Sequence, residues 1–288
     1  MVLESLVPGL EAAIHGRALP PHVRSIDAPG IAQVKLIDAA PIGVNVRSTV
    51  ATYAGVHDEL RKLVCRKQRG QARAEAKDFS YNTGSLRCPH CDGTGIISLD
   101  VQFLPDVKIT CPSCHGSRYA READEIHMVM PTGRTLSLPQ LMAMDVQDAL
   151  EACQGLKTIC QRLQVLKDLG LGYLTLAEET PGLSGGEAQR LKLASEMGRT
   201  QSDALFVFDE PTIGLHPLDV RTLLDVFRTL VDNGASVVVI EHDLDVLRNA
   251  DHIIDMGPKG GAEGGRIVAC GTPAQIRSAA DSETGRYL

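Results

Sequence analysis

Cysteines are the first residues in this chain whose spacing indicates chemistry. Four of the eight cysteines form two Cys-x2-Cys pairs with nineteen residues between the pairs: Cys88, Cys91, Cys111 and Cys114. Each pair can form a turn that directs two thiolates to one point, and two turns complete a tetrahedral site for which zinc is the favoured metal. Four thiolates fill the coordination shell, with His90 and His115 as possible substitutes, so we predict a structural zinc. Four unrelated buried cysteines are the alternative.

Acidic residues and a histidine follow two hydrophobic segments that we predict to be buried strands. Leu205–Phe208 precedes Asp209 and Glu210, and Val237–Ile240 is followed closely by His242. In open α/β sheets, ligands bind beyond the carboxyl ends of the strands. Neighbouring parallel strands would therefore bring these side chains to one edge, with Asp209 on Mg²⁺, Glu210 polarising water and His242 sensing phosphate. Solvated acids and a structural histidine are the alternative.

The segment Ser184-Gly185-Gly186-Glu187 has the pattern of a helix start. Ser and Glu three residues apart form a capping box. The intervening glycines cost about 1 kcal/mol each relative to alanine in a helix, and they leave bare N–H groups at the positive end of the helix dipole. That geometry suits close approach of a phosphate. An ordinary capped helix is the alternative.

Composition limits the classes of protein that fit. The 288 residues carry a net charge of −7, with 43% hydrophobic residues, 3% aromatic residues and no tryptophan. Any contact with nucleic acid must therefore be local, and broad base-stacking platforms are excluded. No apolar stretch approaches the ~20 residues of a membrane span. The N-terminus has no basic start or cleavage site, so a cytoplasmic location is expected and no membrane partner.

Periodicity predicts the elements that must position these residues. Strands are expected at Val34–Asp38, Ala204–Phe208, Ser236–Ile240 and Ile253–Met256. Helices are expected between them and over Asp145–Leu169, where leucines recur on one side and Gly170 provides a stop. Alternation of strands and helices predicts an α/β fold with a mostly parallel sheet.

Together these motifs resemble those of ABC ATPases. Leu183–Arg190 resembles the signature motif, Leu205–Glu210 the Walker B strand, Gly214–Pro217 the D-loop and His242 the switch histidine. A more specific resemblance covers residues 38–288. It is carried by the cysteine spacing and by Phe103–Val107, Leu183–Glu196 and Ile253–Gly261. These look like the C-terminal half of the UvrA family, which provides the damage-sensing subunit of the bacterial excinuclease.

The resemblance implies a domain organisation. An ABC-type ATPase core would be present in part, without its P-loop strand and loop, and would hold an inserted helical signature domain. Residues 1–55 would be the first part of the ATP-binding domain, 56–200 the signature domain with a zinc module at 85–120, and 201–288 the last part.

The resemblance also implies an activity. UvrA proteins of nucleotide excision repair dimerise, bind DNA and load UvrB at lesions using two nucleotide sites per chain. ATP with Mg²⁺ would lie between Asp209, Glu210 and His242 of one ABC unit and Ser184–Glu187 of another. Glu210 would activate water, and Arg61–Lys77, with seven basic residues and one acid, would face DNA. A solvated surface is the alternative for that basic segment.

Departures from the family qualify these expectations. No Gly-x4-Gly-Lys-Ser/Thr motif occurs, and Ala39 replaces the family's usual Gln. Val44–Ser48 and Thr83–Arg87 also diverge. We therefore expect a C-terminal fragment that is ATPase-deficient alone, with a UvrA-like paralogue linked to drug resistance as an alternative. The rival hypotheses are a zinc- and DNA-binding fragment with vestigial ATPase motifs, and the ATPase subunit of a transporter.

Overall fold

The structure is a computed structural model that describes residues 1–43, 45–67, 75–99, 107–197, 201–258 and 264–288. Several segments quoted in the sequence analysis lie partly outside the described residues, at Val44, Arg69, Arg73, Phe103–Asp106 and Lys259–Gly261. The chain divides into two compact units. Met1–Ala39 with Gly198–Leu288 form the first, here the split unit, and Ala40–Met197 form the second, here the central unit.

Short helices and strands follow one another along the chain. The helices are α1 Val7–Ile14, α2 Val50–Tyr53, α3 Val56–Lys67, α4 Arg121–Glu125, α5 Leu138–Met142, α6 Val146–Ala152, α7 Lys157–Leu166, α8 Gly185–Glu196, α9 Pro217–Asp232, α10 Leu244–Arg248 and α11 Pro273–Arg277. The strands are β1 Gln33–Ile37, β2 Ile96–Leu99, β3 Val107–Thr110, β4 His127–Val129, β5 Thr135–Ser137, β6 Ala204–Asp209, β7 Ser236–Ile240, β8 Ile253–Gly257 and β9 Arg266–Gly271. Across the described ranges, every helix is too short or too polar to cross a bilayer.

A parallel sheet of order β1-β6-β7 forms the centre of the split unit. Its middle strand, β6, is buried from Ala204 to Phe208, which explains the continuous apolar run in the sequence. The registers Ile37↔Phe208 and Asp209↔Ile240 align the carboxyl ends of the strands. The predicted α/β character and parallel pairing are confirmed for these strands.

The strand predicted at Ile253–Met256 forms, but it does not join the parallel sheet. As β8 it pairs antiparallel with β9, a strand that we did not predict. The Asp255 carboxylate accepts hydrogen bonds from the hydroxyls of Ser282 and Thr284, which fixes the C-terminal segment beside this hairpin. A partner so close in sequence makes the antiparallel pairing accessible through a short connection.

Helices dominate the central unit. The single helix predicted over Asp145–Leu169 is wrong in its continuity, because α6 ends at Ala152 and α7 begins at Lys157. Gly155 between them has φ +90°, a left-handed conformation that cannot continue a helix. The predicted stop at Gly170 is confirmed, with φ +71°.

A histidine is buried in the core of the central unit. His57 is 4% exposed, and its Nε2 lies 2.7 Å from the Tyr119 hydroxyl. The Tyr119 hydroxyl donates its one hydrogen to the Phe79 carbonyl, so the His57 Nε2–H donates to the hydroxyl oxygen. Burial, reinforced by the Arg61 charge, lowers the pKa of His57 to about 3.

We expect this histidine to make the central unit acid-sensitive. The unfolded chain takes up a proton near pH 6.5 and the folded chain does not, so stability declines as the pH falls below that value. Between pH 7 and 5.5 the loss is about 1 kcal/mol in the free energy of unfolding. Urea denaturation at both pH values, followed by tyrosine emission, measures it. In a His57→Asn variant the free energy of unfolding should not show this decrease between pH 7 and 5.5. An equal pH dependence in both proteins would contradict the prediction.

Candidate functional site

The four paired cysteines converge on one point in the central unit. All are buried, and their Sγ atoms lie within 4.8 Å of one another. The distances are 4.0 Å between Cys88 and Cys111 and 3.7 Å between Cys91 and Cys114. A disulfide needs about 2.05 Å, whereas tetrahedral zinc with ~2.3 Å bonds separates its sulfurs by about 3.8 Å. The spacing therefore fits a metal ion and not a disulfide.

Backbone turns direct these sulfurs inward. The Gly95 N–H donates to Cys91 Sγ at 3.3 Å and the Cys111 N–H donates to the Gly95 carbonyl at 2.9 Å. Gly93 has φ +76°, and a Cβ there would meet the Tyr81 carbonyl oxygen at 1.7 Å, so only glycine fits this turn. His90 and His115 are exposed and outside the four-sulfur cluster. Four thiolates occupy all positions of a tetrahedral metal site, which is the pattern of a structural and not a catalytic zinc.

Arg118 links this cluster to the rest of the central unit. Its side chain is only 3% exposed, and its backbone has φ +73°. One guanidinium nitrogen donates to the Val46 carbonyl at 2.9 Å, and the other to Glu179 at 3.0 Å. The guanidinium also lies over the Tyr81 ring. Its carbonyl accepts from the Cys88 N–H, so one residue joins the cysteine turns to two other segments.

Glu210 and His242 meet at the carboxyl edge of the parallel sheet, in the split unit. The Glu210 N–H donates to the Ile240 carbonyl at 2.9 Å, which continues the pairing of β6 with β7 beyond the strand. His242 Nε2 then lies 3.5 Å from Glu210 Oε1. Both side chains are accessible, with exposures of 85% for His242 and 43% for Glu210. The pair is therefore open to a ligand.

The backbone at Glu210 is strained. Its φ of +47° is in the left-handed region, which costs a non-glycine residue roughly 1–3 kcal/mol. Nothing in the sequence pattern indicated this conformation. Strain of this kind persists where surrounding contacts hold it, and it is concentrated at functional sites.

Asp209 and Asp38 add negative charge at the same edge. Asp38 directly follows β1, whose last residue pairs with Phe208. Partial burial raises the pKa of Asp209, and the charges of Glu210 and Asp38 raise it further. Crowded carboxylate oxygens are the hard ligands that Mg²⁺ takes, so Asp209 fits the role of a magnesium ligand.

The capping box at α8 is confirmed in the central unit. The Ser184 N–H donates to Glu187 Oε2 at 2.7 Å, and the Glu187 N–H donates to Ser184 Oγ at 3.4 Å. Tyr173, which sequence reasoning missed, donates its hydroxyl to Glu187 Oε1 at 2.5 Å. These hydrogen bonds outweigh burial and lower the pKa of Glu187. The glycines of the first turn, Gly185 and Gly186, therefore sit beside an ionised cap.

The basic segment is partly neutralised within the chain. Arg61 pairs with Asp58, Lys62 with Glu59 and Lys77 with Glu75. The two further basic residues of α3, Arg66 and Lys67, have no acidic partner among the residues that the structure describes. Fewer unpaired positive charges are therefore available to a polyanion than the seven basic residues of the sequence indicated.

Comparison with known proteins shows which sequences and structures this chain is similar to. No protein-family model matches the sequence. Over 254 residues the chain is 48% identical to UvrABC system protein A of Bacillus subtilis and 46% identical to that of Streptococcus pyogenes serotype M6. Each alignment covers 88% of this chain and 26% of the relative, so the chain spans about a quarter of these relatives' length.

A solved structure agrees with the sequence comparison. The crystal structure of UvrA2 from Deinococcus radiodurans matches with a TM-score of 0.85 and 38% identity, over 97% of this chain and 34% of that one. Both comparisons confirm the resemblance carried by the cysteine pairs and the strand-end motifs. Over the portion that these alignments cover, this chain is similar to UvrA proteins in sequence and in fold.

Proposed function

We propose that this chain is part of a UvrA-like ABC ATPase of nucleotide excision repair, which binds DNA and couples ATP hydrolysis to damage sensing and UvrB loading. The observation that carries the proposal is the accessible Glu210–His242 pair at the carboxyl edge of the parallel sheet. The sequence identity between this chain and UvrA proteins supports the same assignment. By family, the partners are DNA, a UvrB-like protein and a second copy in a dimer.

Each group at the sheet edge has a distinct task in this proposal. Glu210 accepts the proton of the attacking water, because its carboxylate is accessible and its backbone is held in place. His242 donates a hydrogen bond to the γ-phosphate. Asp209 holds Mg²⁺, which when bound neutralises charge on the phosphates.

The start of α8 closes a nucleotide site from the opposing ABC unit in this proposal. Ser184, Gly185 and Gly186 offer a hydroxyl and backbone N–H groups, which suit phosphate oxygens. Glu187 caps the helix and is held by Tyr173. The β- and γ-phosphates still need a Gly-x4-Gly-Lys-Ser/Thr loop, which the sequence lacks. The isolated chain is therefore expected to bind ATP weakly.

The proposed domain assignment gives the zinc module a separate task. The ATP-binding domain comprises residues 1–55 and 201–288, and the inserted signature domain residues 56–200. Cys88, Cys91, Cys111 and Cys114 hold zinc, which supplies folding energy to residues 85–120 rather than chemistry. About one zinc per chain in metal analysis supports this proposal, and none favours the transporter-type ATPase.

DNA binding tests the proposal on this chain directly. Replacing Arg66 and Lys67 together with Gln should weaken binding of a fluorescein-labelled duplex at least threefold, because each basic residue that contacts phosphate releases counterions on binding. Fluorescence anisotropy at two salt concentrations measures the affinity.

The matched control replaces Arg228 and Arg286, which carry the same charge but pair with Asp225 and Glu283 in the split unit. Equal weakening by both double variants would show a nonspecific charge effect. No binding by the unmodified chain would contradict the DNA-binding part of the proposal. One observation favours the rival fragment with vestigial motifs, the absence of a phosphate-binding loop.

A further inference from the structure

A carboxylate that no sequence motif singled out, that of Glu241, directly precedes His242 in the chain. Glu241 directly follows β7, and its Oε1 accepts hydrogen bonds from both the N–H and the hydroxyl of Thr212, the former at 2.8 Å. Its Oε2 accepts from the N–H groups of His242 at 2.7 Å and Asp243 at 3.1 Å. One side chain thus joins the turn after β6 to the turn after β7.

The environment of Glu241 matches an ionised carboxylate. The side chain is partly buried, yet the hydrogen bonds from Thr212, His242 and Asp243 outweigh burial and lower its pKa. All four contacts are donors aimed at carboxylate oxygens, and hydrogen bonds to an ionised acceptor are the strong ones. A neutral amide at this position would turn its own N–H groups toward other donors.

The two turns that Glu241 joins each carry one member of the proposed catalytic pair. Thr212 lies two residues after Glu210, and the Ile213 N–H donates to the Glu210 carbonyl at 3.2 Å, which closes a turn around the strained residue. The backbone N–H of His242 donates a hydrogen bond to the Glu241 carboxylate. The 3.5 Å separation of Glu210 and His242 therefore depends on hydrogen bonds to a third side chain, that of Glu241.

We propose that Glu241 is a positioning residue that fixes the turn carrying Glu210 against the turn carrying His242. The effect of this positioning on catalysis rests on the proposed ATPase function. The contacts of Glu241 are independent of that function, so they can be tested separately.

Amide hydrogen exchange on the 288-residue chain tests the positioning. In Glu241→Gln the amides of Thr212, His242 and Asp243 should exchange at least about tenfold faster, and in Glu241→Ala faster still. Amides of β6 such as Phe206 should keep their rates, because a local contact is lost and not the sheet. Glu283→Gln, an exposed glutamate of the same unit, should change none of them. Unchanged exchange at the three amides, or uniform acceleration across β6, would overturn the proposal.

Kinetics test the catalytic meaning in a full-length polypeptide that contains this chain and a phosphate-binding loop. Glu241→Gln should lower kcat for ATP about tenfold and leave KM within about twofold, since misplacement affects the reacting groups more than nucleotide binding. Hydrolysis by the unmodified protein with an unchanged kcat in the variant would reject Glu241 as a positioning residue. No hydrolysis by the unmodified protein would reject the proposed function, and the exchange experiment would still decide on the contacts.

Discussion

Glu210→Gln, in a full-length polypeptide that supplies a phosphate-binding loop, is expected to slow ATP hydrolysis by about 100- to 10,000-fold. The substitution removes the carboxylate that we propose accepts the proton from water, and it keeps the shape of the side chain. ATP affinity should stay within about threefold, because in the proposed mechanism the carboxylate acts on the reacting water and does not bind the nucleotide. Single-turnover hydrolysis and equilibrium nucleotide binding measure the two quantities.

The backbone at Glu210 supplies a second readout for the same position. Glutamine keeps the strain of the +47° φ, whereas Glu210→Gly relieves it and should stabilise the chain by about 1 kcal/mol. Both variants should lose hydrolysis, but only the glycine variant should raise the urea midpoint. Turnover equal to that of the unmodified protein in Glu210→Gln would reject the role of Glu210 as the base.

Removal of one zinc ligand is expected to have the largest effect on folding. Cys111→Ser should reduce bound zinc from about one per chain to near zero and leave residues 85–120 unprotected from proteolysis. Structural zinc contributes on the order of 10–16 kcal/mol of binding energy in zinc-finger peptides. Among the residues that the structure describes, Ile97 is the one partly buried apolar side chain packed against the cysteine cluster. Metal analysis and limited proteolysis measure the two outcomes.

Cys270 provides the matched control for this experiment. It is an exposed cysteine of β9 in the split unit, outside the four-sulfur cluster. Cys270→Ser should keep one zinc per chain and the protease resistance of residues 85–120. Full zinc retention by Cys111→Ser would show that the four sulfurs do not hold the metal together.

Features that depend on residues close in sequence were predictable. The capping box of Ser184 and Glu187 lies within one helical turn, and the buried β6 is a continuous apolar run. The cysteine turns are also local, and their fixed spacing indicates a common metal. The meeting of Glu210 and His242 followed from one further assumption, that their strands are parallel neighbours.

Contacts between distant segments were not predictable from these patterns. Glu241 bonds to Thr212, 29 residues earlier, and Arg118 bonds to Glu179, 61 residues later. Their residue types are common on protein surfaces, so neither stood out. The left-handed conformation of Glu210 and the β8–β9 pairing likewise depend on tertiary contacts.

Arg118 has a mechanical consequence for the central unit. Its backbone belongs to the cysteine turns, and its guanidinium is bonded to Glu179, five residues before Ser184. If the cysteine turns rotate, either the Arg118–Glu179 ion pair breaks or the residues between Glu179 and α8 move with the turns. Arg118 thus provides a direct contact through which a movement of the cysteine turns would reach the residues before α8.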